Sequence, residues 1–252
     1  MKYKRYDKSF EYSYSFGQFP TIELIKSKKA KLISVVCHEK LKENEEVKKI
    51  LEYCKQNNIE VINSSKQIEI IGGKENCYLV GVFEKYTEKI DDDNHIVLVS
   101  PSDSGNLGTI IRTMLGRGIT NLAIIENGKK TENKIEMEKS NTSVDIFSPK
   151  VIRASMGSIF ELKIQVFKNF DDYEKCFAGR KLYAFCLEAK QFLEETEKSK
   201  DEKFSLIFGN ESTGLPTEII EKCEGIKIKQ TDKIDSFNLA ISVGMAIFEF
   251  TK

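Results

Sequence analysis

From Thr21 onward the apolar positions switch repeatedly between a helical and a strand-like period. Ile22, Leu24 and Ile25 predict a helix over Thr21–Lys29, and the apolar, β-branched run Leu32–Cys37 predicts a strand. Glu43–Asn57 places Val47, Ile50, Leu51 and Cys54 on one face of an amphipathic helix, which Asn57-Asn58 ends. Ile59–Ile62 reads as the next strand, Lys66–Ile71 stops at Gly72-Gly73, and Tyr78–Phe83 is another strand. Residues 1–88 thus form a small α/β unit of a size that folds as a domain. Tyr86–Asn94 is polar, with Asp91-Asp92-Asp93 at its middle, and reads as a linker.

A second domain, 95–252, continues the alternation. The pattern predicts strands over His95–Ser100, Asn121–Glu126, Lys163–Phe167, Leu182–Leu187, Phe204–Phe208 and Gly225–Lys229. Helices are predicted over Gly105–Gly116, Pro149–Phe160, Asp171–Ala178, Pro216–Cys223 and Phe237–Phe250. Strands that alternate with helices imply an α/β fold, a parallel sheet covered on both faces. Ligands in such sheets bind beyond the carboxyl ends of the strands, so chemistry is expected in the loops there.

Composition narrows the chemistry. Of 252 residues, 40% are hydrophobic and 31% charged, which suits a globular chain with real cores. The first ten residues lack the apolar run of a signal peptide, and no apolar run reaches the roughly 18 residues of a membrane helix. A cytosolic protein with no membrane partner is expected. Its six cysteines are scattered without a CxxC pair and read as reduced, packed thiols. His38 and His95 are the sole histidines and have no ligand or triad spacing, which argues against zinc hydrolases and histidine-activated nucleophiles. Net charge is zero, but residues 1–30 carry seven cations against three carboxylates. There Tyr3, Tyr6 and Phe10 alternate with Lys2, Lys4, Arg5 and Lys8, a pattern that suits base stacking beside phosphates or, equally, a frayed solvated tail.

Three strand-end loops stand out. Ser100-Pro101-Ser102-Asp103-Ser104-Gly105-Asn106-Leu107-Gly108 opens a helix carrying Arg112, without the spacing of a dinucleotide turn or a P-loop. Phe208-Gly209-Asn210-Glu211-Ser212-Thr213-Gly214-Leu215-Pro216 brackets a carboxylate with two glycines and starts a helix at proline. Asp235-Ser236-Phe237-Asn238 opens the last helix, with Ser236 as the expected N-cap and Asn238 inside the first turn.

Taken in order, these loops resemble the three motifs of the SpoU (TrmH-like) class of SPOUT RNA methyltransferases. Asn106-Leu107-Gly108 with Arg112 matches the first, Leu206 through Pro216 the second, and Ser236-Phe237-Asn238 the third. Ser148-Pro149-Lys150-Val151-Ile152-Arg153-Ala154-Ser155-Met156-Gly157 is similar to the helix between the first two. Phe16-Gly17-Gln18 through Val82 is similar, more diffusely, to the L30e-like substrate-binding domain often fused ahead of this catalytic domain.

The resemblance implies a deep trefoil knot near the C-terminus, a homodimer, and S-adenosylmethionine as methyl donor to a ribose 2′-hydroxyl. It implies RNA as partner, with ribosomal RNA favoured over tRNA. Asn106, Arg112, Glu211, Ser236 and Asn238 would be catalytic. Phe208, Gly209, Asn210, Leu215, Ile228, Gln230, Phe237, Asn238 and Leu239 would hold the cofactor. Arg112 would act either as general base or as a cation on the target's phosphate. Methylation at a base and a non-catalytic RNA-binding protein are the competing readings. One departure bears on cofactor binding: the Ile-Pro-Met-like turn of the family is Ile228-Lys229-Gln230 here, without the rigid proline.

Overall fold

The computed structural model describes residues 3–72, 77–126, 143–197 and 202–252. Lys2 and Gly73, named above, lie outside the described residues. The chain forms two compact units. The first comprises residues 1–86 with 107–112 and 145–161, and the second comprises 87–106, 113–144 and 162–252.

The first unit is built on a four-stranded mixed sheet. Its strands are β1 (Tyr12–Phe16), β2 (Lys31–Cys37), β3 (Glu60–Asn63) and β4 (Leu79–Glu84), in the order β1-β4-β2-β3. Helices α1 (Gln18–Lys26), α2 (Glu45–Gln56) and α3 (Ser65–Ile71) connect them. Asn44 caps α2 by accepting the Val47 N–H at 2.9 Å, and Ser64 caps α3 through Gln67. Strand β1 was not foreseen, and neither reading of the N-terminal aromatics describes what they do. Tyr3 is buried against Tyr12 and Tyr14, its hydroxyl lies 2.8 Å from the Ser34 hydroxyl, and its carbonyl accepts from Gln67. Phe10 stacks on Tyr12 at 5.0 Å, and the Tyr6 hydroxyl donates to Asp145. Core packing, not solvent, holds these rings.

The second unit carries a seven-stranded sheet in which every pairing is parallel. Its strands are β5 (His95–Val99), β6 (Asn121–Ile125), β7 (Lys163–Phe167), β8 (Lys181–Phe185), β9 (Gln191–Phe192), β10 (Phe204–Phe208) and β11 (Glu224–Lys227). Their order is β7-β6-β5-β10-β8-β11-β9. Strands β5, β6 and β10 are buried along their whole length, as expected for a parallel sheet covered on both faces. The α/β architecture read from the sequence is therefore present. Helix α4 (Ser104–Gly116) follows β5, α5 (Pro149–Ala154) precedes β7, and α6 (Phe170–Cys176), α7 (Thr217–Ile220) and α8 (Leu239–Phe250) complete the chain.

The helix expected over Pro149–Phe160 breaks after Ala154, because Met156 and Gly157 both take positive φ, 53° and 83°. A one-turn 3-10 segment, Ser158–Phe160, follows. The expected linker contains no regular element but is fastened within its unit. Ile90 is buried, Asp91 pairs with Lys163, and Asp92 pairs with Arg180 and Lys203. No helix among the described residues is long and apolar enough to cross a membrane.

Candidate active site

The second unit gathers motif residues where a parallel sheet exposes its strand ends. Strand β5 ends at Val99, and Ser100 turns the chain with φ of 48°. Asp103 caps α4 by accepting the Asn106 N–H at 2.7 Å, which presents the Asn106 side chain in the first turn. Neighbouring strand β10 delivers Gly209-Asn210-Glu211. The loop closes on itself through reciprocal backbone hydrogen bonds between Asn210 and Gly214, of 3.1 and 2.9 Å. A Cβ at Gly209 would stand 2.1 Å from the Gly214 carbonyl carbon, so only glycine permits this closure.

Five donors surround the Glu211 carboxylate. Oε2 accepts from the Ser102 hydroxyl at 2.8 Å, the Ser102 N–H at 3.1 Å and the Asn210 amide at 3.5 Å. Oε1 accepts from the Asp103 N–H and the Asn106 amide, both at 3.2 Å. Burial alone would raise its pKa, but its own backbone N–H, the Ser102 hydroxyl and the Asn106 amide outweigh that and hold it below the ordinary glutamate range. Glu211 is thus an ionised anchor with its lone pairs occupied, not a free base.

Its charge sets a chain of amide orientations. A carboxylate only accepts, so Asn106 must turn Nδ2 toward it. Asn106 Oδ1 is then the acceptor for Asn238 Nδ2, at 2.9 Å. Asn238 Oδ1 in turn accepts the Ala240 N–H at 2.9 Å and caps α8. Each amide has one workable orientation, and the spare N–H groups of both asparagines remain available to a ligand.

The other expected site residues divide. Asn238, not Ser236, is the N-cap of α8; the helix starts two residues later than its pattern suggested, and Ser236 lies exposed ahead of it. The Asn210 side chain is consumed within the fold: its amide donates to the Ser100 carbonyl at 2.7 Å and its oxygen accepts from Ser212 and Thr213. Arg112 is exposed, without an ion-pair partner among the described residues. It follows Asn106 by six residues on α4, about 9 Å of helical rise and about 120° around the helix. Sequence reasoning missed Ser102, whose only signal was its place in a strand-end loop.

The apolar residues expected to hold a cofactor lie at the ends of β10 and β11 and at the start of α8. Phe208 is buried and stacks on Phe185 at 4.4 Å, Leu239 is buried, and Leu215, Ile228 and Phe237 are half-buried. Gln230 donates to the Ile234 and Asp235 carbonyls at 3.4 and 3.0 Å, which fastens the loop that lacks the family's proline. This set fits a nucleoside-like ligand: apolar surface for a flat ring, with main-chain groups at its edges. A cavity of about 590 Å³ lined by Lys181, Tyr183, Glu195, Glu202 and Glu224 lies at the opposite ends of β8 and β11, and its carboxylates would repel a polyanion.

The sequence profile of the SpoU rRNA Methylase family matches residues 93–248. The chain belongs to that family. An uncharacterised tRNA/rRNA methyltransferase of Synechocystis is 31% identical over 61% of this chain and 51% of its own length. The 23S rRNA guanosine 2′-O-methyltransferase RlmP of Bacillus subtilis is 27% identical over 64% of this chain and 59% of its own. The match therefore spans little more than half of these SpoU relatives. The crystal structure of an AdoMet-bound rRNA methyltransferase from Sinorhizobium meliloti superposes with a TM-score of 0.75, at 25% identity over 95% of this chain and 86% of that one.

The cysteines of this SpoU-family chain offer no activated thiol among those whose shift is large. Burial pushes the thiols of Cys37 and Cys54 up to about 11 and that of Cys223 to about 12, so they stay protonated and inert. Among the described residues no group of three or more His, Cys, Asp or Glu side chains is placed to hold a metal ion.

Proposed function

We propose that this chain is an S-adenosylmethionine-dependent RNA methyltransferase that acts on a ribose 2′-hydroxyl of ribosomal RNA and works as a homodimer. The observation that carries this reading is the relay from ionised Glu211 through Asn106 to Asn238 at the strand ends. The Bacillus subtilis relative and the Sinorhizobium structure support ribosomal RNA, while the Synechocystis relative keeps tRNA as the competing substrate.

Bound S-adenosylmethionine would supply the methyl group as an electrophile, leaving the protein to position and activate the hydroxyl. Main chain around Gly209, Ile228 and Leu239 would hold it, with Phe208, Leu215 and Phe237 as apolar walls. The spare amide hydrogens of Asn106 and Asn238 would orient the ribose oxygens, and Glu211 fixes which way those amides face. Arg112 suits a phosphate anchor, because a guanidinium is a strong, always-charged donor matched to phosphate geometry and a poor general base at neutral pH. Its charge beside the target would lower the hydroxyl's pKa instead, so that the proton released on methylation can pass to solvent water. An exposed stripe on α8 (Ile241, Met245 and Phe248) supports dimerisation. The insertion of β10 between β5 and β8 supports the knotted threading that the family implies.

The test is transfer of tritiated methyl to 23S ribosomal RNA and to tRNA by wild type, Asn106→Ala and Glu211→Ala. Label that survives alkali as a dinucleotide and vanishes in both variants is expected. Label on a base, or none on any RNA with no cofactor binding by calorimetry, would overturn the reading.

A further inference from the structure

We propose that Phe19, Met156 and Arg153 of the first unit form a grip for one unpaired nucleotide of the RNA substrate, with the base against Phe19 and Met156 and its phosphate on Arg153. The proposal rests on the RNA methyltransferase reading and names a recognition surface for that substrate.

Two large apolar side chains are open to solvent here: Phe19 is 53% exposed and Met156 40%. They adjoin through the backbone, because a Cβ on Gly157 would lie 3.0 Å from the Pro20 Cα and 2.9 Å from the Glu23 Cβ. Phe19 and Met156 are the chain neighbours of that contact, so their Cα atoms are within about 12 Å.

Met156 holds the left-handed conformation at φ 53°, where a long side chain is disfavoured and glycine or asparagine is the usual choice. Burial compensates for this only in part, since Met156 is 40% exposed. A methionine kept at a strained, exposed position points to contact with something outside the fold.

Charge selects the occupant. Glu23, the nearby carboxylate, is paired with Lys26 at 2.7 Å. Arg153 is exposed, has no ion-pair partner among the described residues, and its field reaches the Cys77 thiol. The patch is therefore apolar and net cationic. It is too small for a protein interface, which needs about 800 Å² on each partner. One aromatic face, one adaptable thioether and one guanidinium match a single splayed nucleotide, the form in which proteins read RNA sequence.

The experiment measures binding of fluorescein-labelled 23S ribosomal RNA fragments by anisotropy across a salt series, with cofactor affinity and melting temperature in parallel. Phe19→Ala and Met156→Gly are each expected to raise the RNA Kd about 5- to 50-fold. Arg153→Gln should raise it and reduce the salt slope by about one. Cofactor affinity should be unchanged, and KM for RNA should rise while kcat at saturation holds. Met156→Gly should melt no lower than wild type, which separates lost recognition from lost folding. Wild-type RNA affinity in all three variants would overturn the grip while leaving the methyltransferase reading intact. A lower sedimentation mass for Phe19→Ala than for wild type would overturn it in favour of a protein contact. Wild type that neither binds nor methylates any RNA would bring down both.

Discussion

Glu211 shows how one ionisation state propagates at the scale of single residues. If its carboxylate were amidated, one NH₂ group would face a ring of donors and leave at least one of them unpaired. Glu211→Gln is therefore expected to cut single-turnover methyl transfer about 100-fold, or about 2.7 kcal/mol, with cofactor affinity within a few-fold of wild type. The sign of the pH effect follows from the depressed pKa. The stabilising contribution of Glu211 is present above the unfolded-state value of about 4.3 and is lost as pH falls through the lower folded value. Ser102→Ala deletes the shortest of its hydrogen bonds and should move the Glu211 titration upward, read directly as a shift of its side-chain ¹³C resonance. An unmoved titration would mean that the main-chain and asparagine donors hold the charge without the Ser102 hydroxyl. His95 works in the opposite sense. Its Nε2 donates to the Asp91 carbonyl at 2.6 Å, and its Nδ1 faces the Tyr173 hydroxyl at 2.8 Å, which also meets Ser205 at 2.6 Å. Burial, reinforced by the charge of Arg180, lowers its pKa to about 4. Between that value and the unfolded one near 6.5 the unfolded chain binds more protons, so stability is lost as pH falls through this range. The expected loss is about 2 kcal/mol between pH 7.5 and pH 5, measured by urea unfolding, and His95→Asn should flatten that slope.

Among elements, the crossing of α4 and α5 is the least forgiving contact. A Cβ on Gly108 would stand 2.3 Å from the Ala154 Cβ and 2.8 Å from both the Ala154 carbonyl carbon and the Ser155 nitrogen. Backbone cannot yield as a flexible side chain would, so Gly108→Val should destabilise the protein by about 3 kcal/mol, seen in thermal unfolding. Ala154→Gly should restore only part of this, because the clash with backbone remains. Most elements were legible in the sequence, since buried parallel strands such as Asn121–Ile125 and Phe204–Phe208 are uninterrupted apolar runs. What escaped had local signals that tertiary contacts override. Strand β1 alternates Tyr and Ser and lies in a segment whose charges resemble a tail, yet Ser13 and Ser15 are fully buried and hydrogen-bonded. Helix α8 starts at Leu239 because Asn238 both caps it and answers Asn106, a dependence on a residue 132 positions away that no window of sequence contains. The same holds for the site at large: the three motif loops were visible, but the saturation of Glu211 by Ser102 and Asp103 depends on two strand ends lying side by side.

At the scale of the whole molecule, the placement of Arg112 bears on assembly. Asn106 and Arg112 share one helix but face about 120° apart, which suits the proposal that the arginine of another copy completes the centre. Ile241, Met245 and Phe248 are 50%, 38% and 54% exposed on α8, the helix whose N-cap is Asn238, and offer an apolar stripe to bury. Ile241→Asp with Phe248→Asp should convert a dimer into a monomer by sedimentation and abolish transfer together with it. Complementation decides whether sites are shared. Arg112→Ala and Glu211→Gln homodimers should each be nearly inactive. Random exchange makes half the dimers mixed, and each mixed dimer would then hold one complete site of two if Arg112 acts in trans. Mixing equal amounts should therefore recover about a quarter of wild-type activity. An arginine that serves its own chain leaves every site in the mixture damaged, so a mixture no more active than its parents would confine the centre to one subunit and leave the α8 stripe needing another explanation.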